Sequence, residues 1–113
     1  EISARNYYRF SRSSSWEPAV NLYEDDTRFH LCVDLAGMKK DQVHVEVMDR
    51  RIGIRGNRPV PSPPGSPKPG CVLRIEVDSG PFQRAIELPH SADMDSVDAQ
   101  LVDGFLWLTI AKR

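Results

Sequence analysis

Apolar and polar residues alternate along most of the chain in short runs, and turn residues separate these runs. In the clearest run, Phe29, Leu31, Val33 and Leu35 occupy every second position. A period of two is typical of a β-strand with one buried face. The same alternation predicts further strands at 19–23, 43–47, 52–54, 72–77, 82–88, 97–101 and 106–110.

The residues between these runs have the chemistry of turns. Asp103-Gly104 separates two alternating runs as a hairpin turn does, and residues 36–41 and 79–81 form further turns. Residues 93–98 are rich in aspartate, and we expect a turn there. No segment has the i, i+3, i+4, i+7 spacing of a long amphipathic helix. The pattern predicts an all-β sandwich or barrel.

A proline-rich stretch interrupts the alternation in the middle of the chain. Six of the nine prolines lie between Pro59 and Pro69, and proline excludes both helix and central strand because it fixes φ and lacks an amide hydrogen. Polyproline extends by about 3.1 Å per residue, so this stretch spans roughly 30 Å. The strand predicted at 72–77 thus follows a stiff tether. Either it joins the sheet of a second chain, or the whole stretch is a disordered loop.

Length and charge limit the classes of partner. The chain has 113 residues, enough for one domain with a core, and a formal net charge of -1. Because a nearly neutral chain has no broad attraction to phosphate, we expect no nucleic-acid partner and no membrane partner. It contains neither an apolar run of the ~20 residues that a transmembrane helix needs nor a signal peptide. We therefore expect a soluble, cytoplasmic protein.

The cysteine count and the chain start add two further expectations. Cys32 and Cys71 are too few for the disulfide framework of a small secreted protein, so we expect two free thiols, although one disulfide is consistent with the count. Residues 1–15 combine arginine, serine and a few aromatics without periodicity, which predicts a flexible N-terminal arm before a domain at 16–113. Since the chain begins at Glu1, we expect a piece of a longer protein.

No combination of residues predicts catalysis. The chain has neither the GxxxxGK[ST] nor the GxGxxG phosphate-binding motif. His30, His44 and His90 are scattered and have no metal-ligand spacing with either cysteine, and the acidic stretch 93–98 lacks the glycine and glutamate of a calcium loop. A Ser-His-Asp triad assembles only in space, but no GxSxG elbow supports one. We expect no enzymatic activity, no cofactor and no metal.

Five sequence motifs occur in the order found in one protein family. They are WEPAV at 16–20, VDLAGMKKDQV at 33–43, IGIRGNR at 52–58, FQRAIELP at 82–89 and AQLVDGFLWL at 99–108. The last is similar to the family signature A-x-x-x-[ND]-G-V-L, with Phe105 in the valine position. On these motifs the chain resembles the small heat-shock proteins, through their α-crystallin domain. The resemblance implies an immunoglobulin-like β-sandwich of two antiparallel sheets.

The resemblance also implies a strand exchanged between subunits. In the bacterial and plant branch of the family, a long connection carries an additional strand to a neighbouring subunit, where it pairs with an edge strand. Residues 57–81 correspond to this dimerisation loop and 72–77 to the exchanged strand. The expected dimer interface consists of Val72, Leu73, Arg74, Ile75, Glu76, Val77, Ala19, Val20, Asn21, Leu22, Tyr23 and Arg84.

A second contact surface follows from the same resemblance. Family members usually end in a tail with an I-x-I or I-x-V motif that occupies a groove on another subunit. This chain stops at Arg113. If the tail has been removed, we expect higher assembly to be lost while the dimer survives. Six apolar residues are either plain core or line the groove for the tail or a client: Val43, Val45, Val47, Val97, Ala99 and Leu101.

Two residues conflict with the simple alternation. Arg84 shares its parity with the apolar residues Phe82 and Ile86, so we expect a carboxylate or carbonyl partner, across the dimer interface or at a sheet margin. Trp107 shares its parity with Phe105, opposite the presumed core residues. Their side chains either form an apolar binding patch or are covered by another sheet or by the N-terminal arm.

The resemblance implies an ATP-independent chaperone, a holdase that captures partly unfolded proteins through apolar patches and delays their aggregation. A homodimer is then the building block of larger homo-oligomers, and non-native client proteins are the partners. The alternative is a β-sandwich adaptor of the CS-domain type, which binds one folded partner and lacks the exchanged strand. A hydrolytic enzyme is a third hypothesis.

Overall fold

Seven strands form two antiparallel sheets in the part of the chain that the computed structural model describes, residues 16–65 and 70–113. The predicted arm at 1–15 and residues 66–69 of the proline-rich loop lie outside this part. The strands are Val20–Glu24 (β1), Arg28–Asp34 (β2), Val43–Met48 (β3), Arg51–Arg58 (β4), Gly80–Glu87 (β5), Ala92–Val102 (β6) and Phe105–Lys112 (β7).

The two sheets have four and three strands. The larger has the order β1-β2-β7-β6, and the smaller has the order β3-β4-β5. All neighbours are antiparallel, which confirms the predicted β-sandwich. The described residues contain one short 3-10 turn, Lys40–Gln42, before β3.

The alternation of apolar residues decides which face of each sheet is buried. In β2, Phe29, Leu31 and Val33 are at most 1% exposed, and they pair across the sheet with Ile110, Leu108 and Leu106 of β7. The inner face of the smaller sheet contributes the other half of the core: Ile52, Ile54 and Phe82. Burial of each large side chain contributes about 1.5–3 kcal/mol before the entropic cost of folding, so these residues are the main source of stability.

The predicted hairpin at Asp103-Gly104 is confirmed. Both residues have positive φ, 53° and 84°, as a type I′ turn requires. This turn joins β6 to β7 and pairs Val102 with Phe105 directly across it. The tight connection sets the register in which Ala99 and Leu101 face Leu108 and Leu106.

The turn predicted at 93–98 is wrong, because β6 begins at Ala92 and includes this stretch. The register with β7 shifts between Ala92 and Val97, so the strand is irregular there. The polar side chains accept hydrogen bonds from backbone amides of β6 itself and of the neighbouring strand β7. The Asp95 amide donates to Asp93 Oδ1 at 3.1 Å, and the Ala111 amide donates to Ser96 Oγ at 3.1 Å. Turn-forming residues are accommodated here as a bulge.

One glycine in β4 is required by close packing. A Cβ atom on Gly56 would lie 2.5 Å from the Gln42 carbonyl oxygen and 2.8 Å from Cζ of Phe82. The first neighbour is backbone and the second is a buried ring, so neither moves easily. A Cβ atom on Gly53, three residues earlier, would meet the flexible end of Met48 at 3.2 Å.

Replacement of Gly56 by alanine is therefore expected to destabilise the domain by about 1–3 kcal/mol, the typical cost of overpacking. Gly53→Ala on the same strand is the matched control, and we expect it to be neutral within about 0.5 kcal/mol. Urea unfolding of both variants measures the free energies. Equal free energies of unfolding for the two variants would contradict the packing argument.

Candidate interaction surfaces

The outer edge of β1 is open to pairing. In the described residues β1 has one neighbour, β2, and residues 21–24 are exposed. Leu22 is 42% exposed and Tyr23 is 49% exposed, although both are large and apolar. An unprotected edge strand with apolar side chains is a template for another strand.

A hairpin with a polar turn holds β1 in position. The Thr27 and Arg28 amides donate to Asp25 Oδ1 at 2.9 and 2.7 Å, and His30 Nε2 lies 2.8 Å from Asp25 Oδ2. The hydrogen bond from the His30 side chain, together with the two amides, lowers the pKa of Asp25 far below its usual range. At the end of β1, Glu24 forms an ion pair of 2.7 Å with Lys112 of β7.

The predicted segment 72–77 lies in the connection between β4 and β5. It has no strand pairing with the described residues of its own chain. Leu73 is 90% exposed, Val72 is 50% exposed and Val77 is 54% exposed. An ion pair of 2.9 Å joins Arg74 to Glu76 within the segment. The segment therefore presents its backbone groups and apolar side chains outside any sheet.

The loop forms an apolar concavity of about 500 Å³. Residues from both of its arms line this cavity: Val60, Pro61, Pro63 and residues 71–77. Within 72–77, Leu73, Ile75 and Val77 alternate with Arg74 and Glu76. A strand of this sequence would place three apolar side chains on one face and an ion pair on the other.

The structure resolves the conflict at Arg84 in favour of a carbonyl partner. Its Nη1 donates to the Pro18 carbonyl oxygen at 3.0 Å, and the side chain is partly buried. Pro18 lies two residues before β1, in a segment that crosses from β5 to the larger sheet. This bond is within one chain, so the predicted interface role of Arg84 stays a prediction.

A groove runs between the edge strands β3 and β6. It has a volume of about 570 Å³ and includes four of the six predicted residues: Val43, Val45, Ala99 and Leu101. Val47 and Val97 are not in its lining. Val47 is 44% exposed near the end of β3, and Val97 packs partly buried against the core. The structure adds four lining residues that the sequence analysis did not assign to the groove: Lys40, Gln100, Val102 and Leu106.

A side chain of its own sheet contacts Trp107, which neither interpretation predicted. The choice between a binding patch and cover by the N-terminal arm stays a prediction, because residues 1–15 lie outside the described part of the chain. The ring of Tyr23, on β1, stacks on Trp107 with centroids 6.2 Å apart and an interplanar angle of 27°. The Asn21 amide group donates to the Tyr23 hydroxyl at 2.8 Å, which orients that ring. Trp107 is therefore partly covered by the edge strand, whereas Phe105 remains 43% exposed.

The described cysteine, histidine and acidic side chains do not form a common site. Both cysteines are free thiols, as predicted; Cys32 is buried in β2, which raises the pKa of its thiol, and Cys71 is exposed in the loop. Within residues 16–65 and 70–113, no three histidine, cysteine or acidic side chains converge on a common point. The same part of the chain contains no helix capable of spanning a membrane.

Comparison with known proteins identifies the family. The sequence pattern of the Hsp20/alpha crystallin family matches residues 21–113. The chain belongs to this family. A curated Hsp20 relative, the 17.8 kDa class I heat shock protein of Solanum lycopersicum, is 42% identical over 82 residues, which are 72% of this chain and 51% of the relative. The chain thus spans about half the length of the curated relatives it matches.

Solved structures of small heat-shock proteins share the sandwich. A small heat-shock protein from Xylella fastidiosa is 32% identical, with a TM-score of 0.74 and coverage of 88% of this chain and 89% of that chain. The hspA protein from Xanthomonas axonopodis is 34% identical, with the same TM-score and coverage of 88% and 97%. The resemblance predicted from the five motifs is confirmed.

The bonds around Asp25 make the stability of the β1–β2 hairpin dependent on pH. Because the folded protein favours the Asp25 carboxylate, its contribution is fully present above the ordinary carboxyl pKa of about 3.9 and is lost as the pH falls towards the lower folded value. We expect Asp25→Asn to lower the urea midpoint at pH 5, and the difference from the parent to shrink from about pH 4 downwards.

Asp26→Asn, at the neighbouring exposed carboxylate, is the control for this titration. We expect its urea midpoint to follow that of the parent across the same pH range. A parent and an Asp25→Asn variant with the same midpoint at pH 5 would show that the Asp25 bonds do not stabilise the fold.

Proposed function

We propose that the domain is the dimer-forming part of an ATP-independent chaperone that holds partly unfolded proteins and prevents their aggregation. The observation that carries this proposal is the Hsp20/alpha crystallin match over 21–113. Family membership favours this function over the CS-domain adaptor. The exposed thiol of Cys71 suits a reducing compartment, and we place the protein in the cytoplasm.

The dimer would form by exchange of residues 72–77. In this arrangement the segment pairs with the open edge of β1 in a second copy. Residues 72–77 of the second copy pair in the same way with β1 of the first. Two copies then satisfy the backbone groups of two open edges. Each added hydrogen bond contributes a net ~0.5–1.5 kcal/mol, and two-fold symmetry doubles the total.

The side chains suit this pairing. On β1, Val20 and Leu22 share the face of the buried residues Val33 and Leu31, with which they pair. Leu73, Ile75 and Val77 would continue this apolar face on an added strand. Arg74 and Glu76 would then lie on the outer face beside Asn21 and Tyr23. Burial of apolar side chains that are half or more exposed in one chain supplies the driving force for association.

The groove between β3 and β6 would bind apolar segments. Val43 and Val45 on one edge strand oppose Ala99 and Leu101 on the other, so an extended segment could lie between two strands. Such segments become exposed in partly unfolded clients, and they are also supplied by the tails of other subunits in the family. Binding without covalent chemistry lowers the concentration of aggregation-prone chains by mass action.

Larger assemblies are part of the proposal. The Xylella fastidiosa relative forms a distinct high order structure. By analogy we propose that dimers of this domain assemble further when the whole protein supplies a tail for the groove. Non-native proteins would be the clients.

Replacement of residues 59–78 by a short Gly-Ser turn tests the dimer. Sedimentation equilibrium of the parent chain is expected to give a dimer, and the replacement is expected to give a folded monomer because it has lost the exchanged strand. Far-UV circular dichroism and urea unfolding confirm that the replacement is folded. A replacement that forms the same dimer would exclude strand exchange.

Substitution in the groove tests client binding. Ala99 is exposed and small, so Ala99→Glu places a charge among the apolar lining residues without removing core contacts. Heated citrate synthase scatters light as it aggregates, and we measure the chaperone concentration that halves this scattering. We expect this concentration to be about tenfold higher for the variant than for the parent, since burial of the unpaired charge is costly.

Ala85→Glu is the matched control, because Ala85 is an exposed alanine on the outer face of β5. We expect it to suppress scattering as the parent does. Failure of the parent chain at any ratio would count against the holdase function, and equal suppression by Ala99→Glu and Ala85→Glu would exclude the groove.

A further inference from the structure

Arg58 occupies the point at which the chain leaves β4 for the dimerisation loop. It is the last residue of β4 and pairs with Gly80, the first residue of β5. The loop therefore departs and returns at adjacent positions at the same end of the smaller sheet. Without further contacts, the loop would be free to swing about these two points.

The Arg58 guanidinium ties the two ends of the loop together. Its Nε and Nη2 both donate to the Asp78 carbonyl oxygen, at 2.9 and 2.6 Å. Its Nη1 donates to the Ala36 carbonyl oxygen at 3.2 Å. Three donors thus fix the returning arm of the loop and the turn after β2 against the end of β4.

Trp16 anchors this guanidinium to the core. The Arg58 Cζ lies 4.3 Å from the centroid of the Trp16 ring, which is a cation–π contact. The Trp16 Nε1 donates to the Gly80 carbonyl oxygen at 3.1 Å, and its ring centroid is 5.2 Å from that of Phe82. Phe82 is 2% exposed, so the chain of contacts runs from the buried core to the loop.

The partners of Arg58 require a guanidinium rather than any cation. They are carbonyl oxygens and an aromatic face, and no described carboxylate forms an ion pair with it. A planar fork can donate twice to one carbonyl, donate once to another and stack on a ring at the same time. The ammonium of lysine lacks this fixed geometry.

We propose that Arg58 is a positioning residue for strand exchange, which fixes the direction in which residues 59–77 leave the domain. This inference rests on the proposed dimer. Because Arg58 holds the loop ends before association, the loop loses less conformational entropy when 72–77 binds a second copy. Arg58 itself binds its own chain, so its effect falls mainly on the association rate.

The test compares Arg58→Ala, Arg58→Lys and Arg51→Ala in the full chain. Arg51 is exposed at the opposite end of β4 and serves as the matched control. Loss of charged hydrogen bonds and the stacked contact is expected to raise the dimer dissociation constant of Arg58→Ala about ten- to hundredfold. We expect partial recovery in Arg58→Lys and no change in Arg51→Ala, measured by sedimentation equilibrium.

Subunit-exchange kinetics separate positioning from a general loss of stability. Fluorescently labelled chains are mixed, and association and dissociation rates are measured separately; Arg58→Ala should slow association. Cooperative urea unfolding of each variant measures the folded fraction. A rise in the dissociation constant that the unfolded fraction fully explains would overturn the positioning role.

The outcomes distinguish this inference from the proposed dimer. If the chain without residues 59–78 is monomeric but Arg58→Ala dimerises like the parent, Arg58 has no positioning role and strand exchange stands. If the chain without residues 59–78 is still dimeric, strand exchange itself is wrong, and the Arg58 inference falls with it.

Discussion

The outer edge of β1 is the constraint on which the rest of the structure depends. The other edges of the sandwich differ from this one. The segment from Trp16 to Pro18 crosses β5, through a parallel bridge to Phe82 and the bond from Arg84, and β3 and β6 line a common groove. β1 has only β2 beside it in the described residues, and its exposed side chains include Leu22 and Tyr23. An edge of this kind promotes association unless a strand covers it.

The loop between β4 and β5 carries the segment that we propose is exchanged, and this segment lies outside its own sheets. Proline after Arg58 stiffens the departing arm, and the contacts of Arg58 with Asp78 hold the returning arm. The segment 72–77 is left with exposed apolar side chains and no ladder to the described residues of its chain. In the proposed dimer, the open edge of β1 in one copy would pair with residues 72–77 of the other.

The period-two spacing of the core residues predicted an all-β sandwich or barrel, and the family resemblance implied the sandwich. A buried face could be predicted from the alternation of Phe29, Leu31 and Val33 alone, before the strands that pair with them were known. A hairpin could be predicted from Asp103-Gly104. The prediction failed at 93–98, where aspartates that favour turns are accommodated in an irregular strand. The aspartates favour hydrogen bonds between their side chains and the nearby backbone, which is why a turn was predicted. Pairing with the neighbouring strand β7 instead makes this segment a strand.

The interaction surfaces were less visible in the sequence. Val43, Val45, Ala99 and Leu101 could be grouped by parity and resemblance, whereas Val47 and Val97 have the same parity and lie outside the groove. Arg58 and Trp16 are 42 residues apart, and no periodicity connects a cation to a ring at that separation. Such contacts depend on how the chain crosses between sheets, which a linear pattern does not encode.

Amide hydrogen exchange, followed as a function of protein concentration, tests strand exchange most directly. If the strand is exchanged, peptides covering 72–77 and 20–24 become protected together as the concentration rises through the dimer dissociation constant, and they lose protection together on dilution. Protection of β1 without protection of 72–77, or rapid exchange of 72–77 in a sample that sediments as a dimer, would contradict strand exchange.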